Sequence, residues 1–107
     1  MLDAPVLQIQ VRPGDRHEVT LGLAGELDLS TCPELRARVE QLEPMVRHVT
    51  LDLTDLAFID STGIALLLGF DRSFRTDLRQ FTIQCPPGPV RRVLQISGAD
   101  SRLTILS

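Results

Sequence analysis

The sequence predicts an α/β domain: a single mixed β-sheet of about five strands, an N-terminal hairpin followed by parallel strands, with helices packed on it. Three observations predict it. Short runs alternate apolar and polar residues at a period of two; other runs space their apolar residues three and four apart; and the two kinds of run take turns along the chain. With 107 residues the chain can close one hydrophobic core but not a core and a second module, so residues 1–107 read as one domain.

Leu7, Ile9 and Val11 alternate with Gln8, Gln10 and Arg12, as in a half-buried first strand. Pro13-Gly14-Asp15-Arg16 is a turn, and Val19, Leu21 and Leu23 alternate with Glu18, Thr20 and Gly22 to complete a hairpin. Gly25-Glu26-Leu27-Asp28 then reads as a loop. Thr31 and Glu34 have capping-box spacing, Pro33 suits a first helical turn, and Leu35, Val39 and Leu42 recur at helical intervals, predicting a helix over 33–42 that ends before Pro44.

His48-Val49-Thr50-Leu51-Asp52-Leu53 alternates again and, following a helix, predicts a central strand parallel to its neighbour, with Thr54-Asp55 at its end. The apolar run Leu56-Ala57-Phe58-Ile59 reads as buried strand leading into a second helix, whose inner stripe is Ile64, Leu67, Leu68, Phe74 and Leu78 and whose outer side carries Asp71, Arg72, Arg75 and Asp77. Phe81, Ile83 and Cys85 mark a further strand, stopped by Pro86-Pro87-Gly88-Pro89. Val90, Val93 and Leu94 form a short helix closed by Gly98 as a left-handed cap, and Leu103-Thr104-Ile105-Leu106 supplies the last strand.

Composition excludes several functions. No apolar run approaches the roughly 20 residues of a membrane span, and Met1-Leu2-Asp3-Ala4-Pro5 has neither the basic start nor the apolar stretch of a secretory signal, which places the protein in the cytoplasm. Net charge is −3, and the longest basic cluster is Arg91-Arg92, which argues against nucleic acid as a partner. The sequence has no lysine, so a Gly-Lys-Ser/Thr phosphate loop and Schiff-base chemistry are both impossible. Cys32 and Cys85 are far apart, without a Cys-x-x-Cys spacing or a histidine cluster, and read as small core or loop residues; no metal or cofactor is expected. His17 and His48 stand alone on strands, pointing away from the core, and are given no ligand or base role.

The informative segment is Asp60-Ser61-Thr62-Gly63, where a buried strand gives way to a helix. A helix start presents unpaired backbone NH groups and a partial positive charge, so Ser61 lies where a phosphate could be placed and read. The same residues also serve as plain caps, since Asp, Ser and Thr all satisfy free NH groups. Thr62 is the weaker acceptor, being β-branched and suited to capping.

Three stretches together resemble the STAS domain family, and within it the bacterial anti-sigma factor antagonists: Leu23-Ala24-Gly25-Glu26-Leu27-Asp28, the long run from Leu51 to Ile64 containing Asp60-Ser61-Thr62-Gly63, and Val90-Arg91-Arg92-Val93-Leu94 with Ser97-Gly98. The likeness spans nearly the whole chain, and the central run is its most specific part. One departure is Thr76-Asp77-Leu78-Arg79, which lacks a glycine that relatives often place there.

The resemblance implies a binding protein, not an enzyme. Its unphosphorylated form would bind an anti-sigma factor, itself a serine kinase using ATP, and so free the sigma factor. Phosphorylation of the serine after the motif aspartate, Ser61 here, would break the complex, and a serine phosphatase would reset it. Gly25, Glu26, Asp28, Asp60, Ser61, Thr62 and Gly63 are the partner-binding positions it implies, on a monomer or weak dimer.

Physics gives the switch a scale. A phosphate adds about −1.5 to −2 charges beside Asp60, and excluding it from a desolvated interface costs roughly 2–4 kcal/mol, weakening binding roughly 30- to 1,000-fold. Three other functions compete. A hydrolase with Ser61 as nucleophile lacks a Gly-x-Ser-x-Gly elbow and a placed histidine. A receiver phosphorylated on Asp60 lacks its lysine and paired acids. A STAS module that regulates a transporter ATPase or a stress-signalling scaffold shares both fold and motif.

Overall fold

The computed structural model describes residues 7–42 and 44–107, so the reading of Met1 to Pro5 lies outside the described residues. The elements run β1 (Leu7–Pro13), β2 (Glu18–Leu27), α1 (Cys32–Glu40), β3 (His48–Ile59), α2 (Ser61–Thr76), β4 (Gln80–Gln84), α3 (Pro89–Ile96), a 3₁₀ turn (Ala99–Ser101) and β5 (Ile105–Leu106). Their order is the expected one. The five strands form one sheet in sequence order, with β1 antiparallel to β2 and the others parallel, as the hairpin and crossover readings predict.

Each helical crossover steps the sheet in the same direction. Right-handed connections therefore put α1, α2 and α3 on one face. That face carries Val19, Leu21, Leu23, Val49, Leu51, Leu53 and Ile83, all buried, against Leu35, Leu67, Phe70, Phe74 and Leu94 of the helices. The opposite face carries Gln8, Gln10, Arg12, Thr20, Thr50, Asp52 and Gln80 and, among the described residues, has no helix over it. Parallel strands normally have both faces covered. Polar side chains make the bare face compatible with water.

The largest departure from expectation is β3, which runs on through Thr54-Asp55 to Ile59. Its register against β2 slips twice: Gly22 faces Asp52 but Ala24 faces Asp55, and Gly25 faces Leu56 but Glu26 faces Phe58. Each slip is a bulge that adds one residue and resets which side chains point inward. The inward residues accordingly become Leu51, Leu53, Leu56 and Ile59, while Phe58 is 47% exposed. The period-two pattern ends at Thr54, but the strand does not. Asp52 Oδ1 shapes the first bulge by accepting the Thr54 amide at 3.0 Å and its hydroxyl at 2.6 Å. Gly25, expected in a loop, lies within β2 at the second bulge with φ +105°, a conformation that excludes most side chains.

Other boundaries moved for similar local reasons. The Thr31–Glu34 capping box does not form; Thr31 Oγ1 accepts the Asp28 amide and donates to Glu26 O, both at 2.9 Å, and is unavailable to its own helix. In α2 the buried stripe is Gly63, Leu66, Leu67, Phe70, Asp71 and Phe74. Asp71, expected outside, is buried and takes the Arg75 guanidinium at 2.8 Å. Leu78, expected inside, is 88% exposed, because it sits past the helix end at φ +59°. There Leu78 N donates to Arg75 O and Arg79 N to Phe74 O, a Schellman closure with leucine where glycine is usual. Helix α1 stops at Glu40 rather than at Leu42, and the last strand holds only Ile105 and Leu106. Gly98 is left-handed at φ +82°, as its reading as a cap requires.

Candidate functional site

Strands β2 and β3 end side by side, with Leu27 opposite Ile59 in the register, and each is followed by an aspartate and a helix. The carboxyl edge of a parallel sheet is where α/β proteins place their binding groups. Asp60 N donates to Leu27 O at 3.2 Å, which ties the two strand ends together.

Asp60 is the N-cap of α2, with extended backbone. Its Oδ1 accepts the Thr62 amide at 2.9 Å, the Gly63 amide at 3.0 Å and the Thr62 hydroxyl. The Thr62 hydroxyl foremost, then the Gly63 amide, hold the carboxyl below its ordinary range, and the Leu29 amide facing it acts in the same direction. The Thr62 and Gly63 NH groups at the helix start are therefore already taken. A phosphate on Ser61 would meet a fixed carboxylate at this point, with the Thr62 and Gly63 amides no longer among the unpaired NH groups that a helix start offers.

Ser61 opens α2, is exposed, and its hydroxyl has no hydrogen-bond partner among the described residues. Thr62 differs in each respect: it is half-buried, donates its hydroxyl to Asp60, and has Cys32 Sγ 4.0 Å from its Oγ1. Of the two adjacent hydroxyls, only that of Ser61 is uncommitted. Gly63 is buried, and a β-carbon there would lie 2.8 Å from both Leu27 O and Ile59 Cγ1. The absence of a side chain lets the start of α2 sit directly on the end of β2.

Asp28 repeats the arrangement one element earlier. Its Oδ1 accepts the Ser30 amide at 3.0 Å, the Ser30 hydroxyl at 2.8 Å and the Thr31 amide at 3.2 Å, and the Ser30 hydroxyl is the foremost cause of its lowered pKa. It organises the β2–α1 loop, bonding its own backbone neighbours. Glu26 is exposed at the end of β2. The structure thus brings Glu26, Asp28, Asp60, Ser61, Thr62 and Gly63 to one edge of the sheet, whereas Gly25 lies within β2 and owes its identity to its φ.

Two residues at this edge carried no signal in the sequence. Leu29 is 73% exposed between Asp28 and Ser30, and Phe58 was hidden inside an apolar run by the bulge. His17 and His48 lie at the opposite edge, where Glu18 faces His48 in the register. At 3.3 Å per residue, β3 separates His48 from Ser61 by roughly 35 Å. Neither is a base for that hydroxyl. His48 is not isolated, since its Nε2 is 2.9 Å from Thr82 Oγ1. Cys32 and Cys85 are buried free thiols, and burial raises the pKa of both. Among the described residues no group of three His, Cys, Asp or Glu side chains is placed to hold a metal, and no helix is long and apolar enough to cross a membrane.

Comparison with known proteins gives a consistent picture. A family model described as "Mlab, STAS domain" matches residues 12–106. The anti-sigma-B factor antagonist of Staphylococcus aureus is 31% identical over 97 residues, covering 86% of this chain and 85% of that protein. The anti-sigma F factor antagonist of Lysinibacillus sphaericus is 29% identical over 94 residues, covering 86% and 80%. Among solved structures, the anti-sigma factor antagonist SpoIIAA in its unphosphorylated form superposes with a TM-score of 0.77 at 26% identity, covering 94% of this chain and 89% of that one. The phosphorylated form of Bacillus SpoIIAA gives 0.70 at 25% identity, covering 94% and 92%.

Proposed function

The chain belongs to the STAS domain family, and within it we propose that it acts as an anti-sigma factor antagonist switched by phosphorylation of Ser61. The unphosphorylated chain binds an anti-sigma factor serine kinase in the cytoplasm and frees the sigma factor; transfer of phosphate from ATP to Ser61 ends that binding, and a serine phosphatase restores it. One observation carries the reading: the Ser61 hydroxyl is exposed and unbonded among the described residues, between an aspartate and a threonine whose side chains are bonded to each other. A kinase meeting this edge finds one available acceptor.

The neighbourhood also supports the direction of the switch. Asp60 stays ionised at neutral pH, so a phosphate on Ser61 adds about −1.5 to −2 charges next to a fixed negative one. With the Thr62 and Gly63 amides occupied, the added charge stays at the surface and must lose water when a partner docks.

The test is binding of candidate anti-sigma factor kinases to the wild type, Ser61→Ala and Ser61→Asp. The alanine variant keeps binding and resists phosphate transfer, while the aspartate variant binds at least roughly 30-fold more weakly. Equal binding by all three would end the proposal. A STAS module serving a transporter ATPase or a stress-signalling scaffold instead would recover those subunits, and no ATP-binding kinase, from its native cell.

A further inference from the structure

Strand β1 is the outer strand of the sheet on its hairpin side, and the direction of its backbone groups follows from its neighbours. Glu18 N donates to Asp15 O at 2.9 Å and Glu18 O accepts the Gly14 amide at 3.0 Å, both toward the hairpin, whereas His17 O accepts the Arg47 amide at 2.8 Å, toward β3. Backbone groups alternate sides along a strand, so Thr20, Gly22 and Ala24 also turn toward β1. Their register partners Arg12, Gln10 and Gln8 therefore bond β2, and the amides and carbonyls of Ile9 and Val11 point outward. Pro13 agrees, since the amide it lacks would have pointed outward too.

Among the described residues no strand pairs with that edge, and the usual protections of an edge are few. β1 keeps register with β2 from Leu7 to Pro13 without a bulge, and the chain has no lysine to charge it. Laid antiparallel on a second β1, with the two-fold axis at Gln10, Ile9 faces Val11, Gln8 faces Arg12, and no like charges meet. The Ile9–Val11 pairs fall on the helix-bearing side, where Val11 is 42% exposed in the single chain. The other edge of the sheet is β5, which holds only Ile105 and Leu106. A β1-to-β5 contact, which would propagate as an open fibre, has little to pair with.

We propose that β1 is a self-association edge through which a second copy of this chain joins the first, antiparallel and centred on Gln10, to form one continuous sheet. Ile9 of each copy exchanges both its backbone groups with Val11 of the other. Paired edge strands of this length bury far less than the roughly 1,600 Å² of a standard stable interface, so the dimer is reversible and concentration-dependent. The two-fold rotation sends the two Ser61 edges to opposite ends of the joint sheet, and each copy keeps its own edge open. The inference is independent of what binds there.

The experiment is sedimentation velocity of the wild type and Val11→Pro over roughly two decades of protein concentration. Proline at this position removes an outward amide and leaves the bonds of Gln10 and Arg12 to β2, so dimerisation is expected to weaken about tenfold or more with an unchanged circular dichroism spectrum. A second measurement fixes the register, by treating Gln10→Cys and Gln8→Cys with diamide. Facing residues of a non-hydrogen-bonded pair lie about 4.5 Å apart at Cα, inside the roughly 4.4–6.8 Å reach of a disulfide, so Gln10→Cys is expected to give a covalent dimer. The two Gln8 positions would stand four residues out of register, about 13 Å at 3.3 Å per residue, and Gln8→Cys is expected to stay unlinked. The native thiols are buried and do not compete. A wild type that is monomeric throughout, a dimer that Val11→Pro leaves unchanged, or Gln8→Cys linking as readily as Gln10→Cys would overturn the proposal.

Discussion

The carbonyl oxygen of Leu27 lies 2.8 Å from the point that a β-carbon on Gly63 would occupy. A backbone atom cannot rotate away as a side-chain tip can, so Gly63→Ala must push α2 off the end of β2. Overpacking of this kind costs about 1–3 kcal/mol, offset by up to about 1 kcal/mol because alanine is the better helix former. The net expectation is a loss of about 1–2 kcal/mol in urea unfolding, with weaker partner binding because Ser61 moves with the helix. Unchanged stability would mean that α2 can shift off the end of β2 at no cost.

Leu78 gives the opposite case. A non-glycine residue in the left-handed region costs about 1–2 kcal/mol, and Leu78 does so at φ +59° with its side chain in water. Leu78→Gly removes that cost and forfeits little packing, against roughly 0.5–1 kcal/mol of added chain entropy in the unfolded state. A gain of about 0.5–1 kcal/mol is expected in denaturant midpoint. A loss would show that the leucine side chain makes a contact worth more than its strain.

Arg12 reaches Asp52 at 2.7 Å across Gly22, linking β1 to β3 over the strand between them. Arg12 is 47% exposed, so the pair itself contributes about 0.5–1 kcal/mol and is screened by salt. Asp52 also holds the Thr54 amide and hydroxyl at the bulge. Asp52→Ala should therefore cost more than Arg12→Ala, and a double-mutant cycle should return a coupling below about 1 kcal/mol. Equal single costs would deny the carboxylate a role in the bulge.

Acid sensitivity follows from three carboxylates, Asp28, Asp52 and Asp60, whose pKa values the fold lowers from 3.8. A group depressed in the folded state adds stability above its unfolded pKa and loses it as pH falls through the folded one. Unfolding midpoints should therefore be level from neutral pH to about pH 5 and decline from roughly pH 4 downward. Asp60→Asn should flatten part of that decline. A midpoint that falls between pH 7 and 5 would show that these three carboxylates do not set the acid sensitivity.

Much of this was legible in the sequence because the physics was local. Alternation placed β1, β2 and β4, the Asp-Ser-Thr-Gly run placed the start of α2, and Gly98 placed a left-handed cap. Features that depend on a neighbour were not legible. The two bulges in β3 exist only against β2, so Thr54-Asp55 read as an end and Phe58 as buried. Thr31 failed as a cap because Asp28 and Glu26 claim its hydroxyl from the preceding strand and loop. Leu29 is exposed in the β2–α1 loop, where neither strand nor helix periodicity assigns a side chain to a face.

The helix-free side of the sheet offers a practical handle. Both native thiols are sheltered, Cys32 at 6% and Cys85 at 1% exposure, so a cysteine introduced at Gln10 would be the one readily reached by a maleimide. A fluorophore or solid support attached there leaves the serine-bearing edge facing outward. Immobilised kinetics of capture and release can then be followed without the linkage blocking the event being measured.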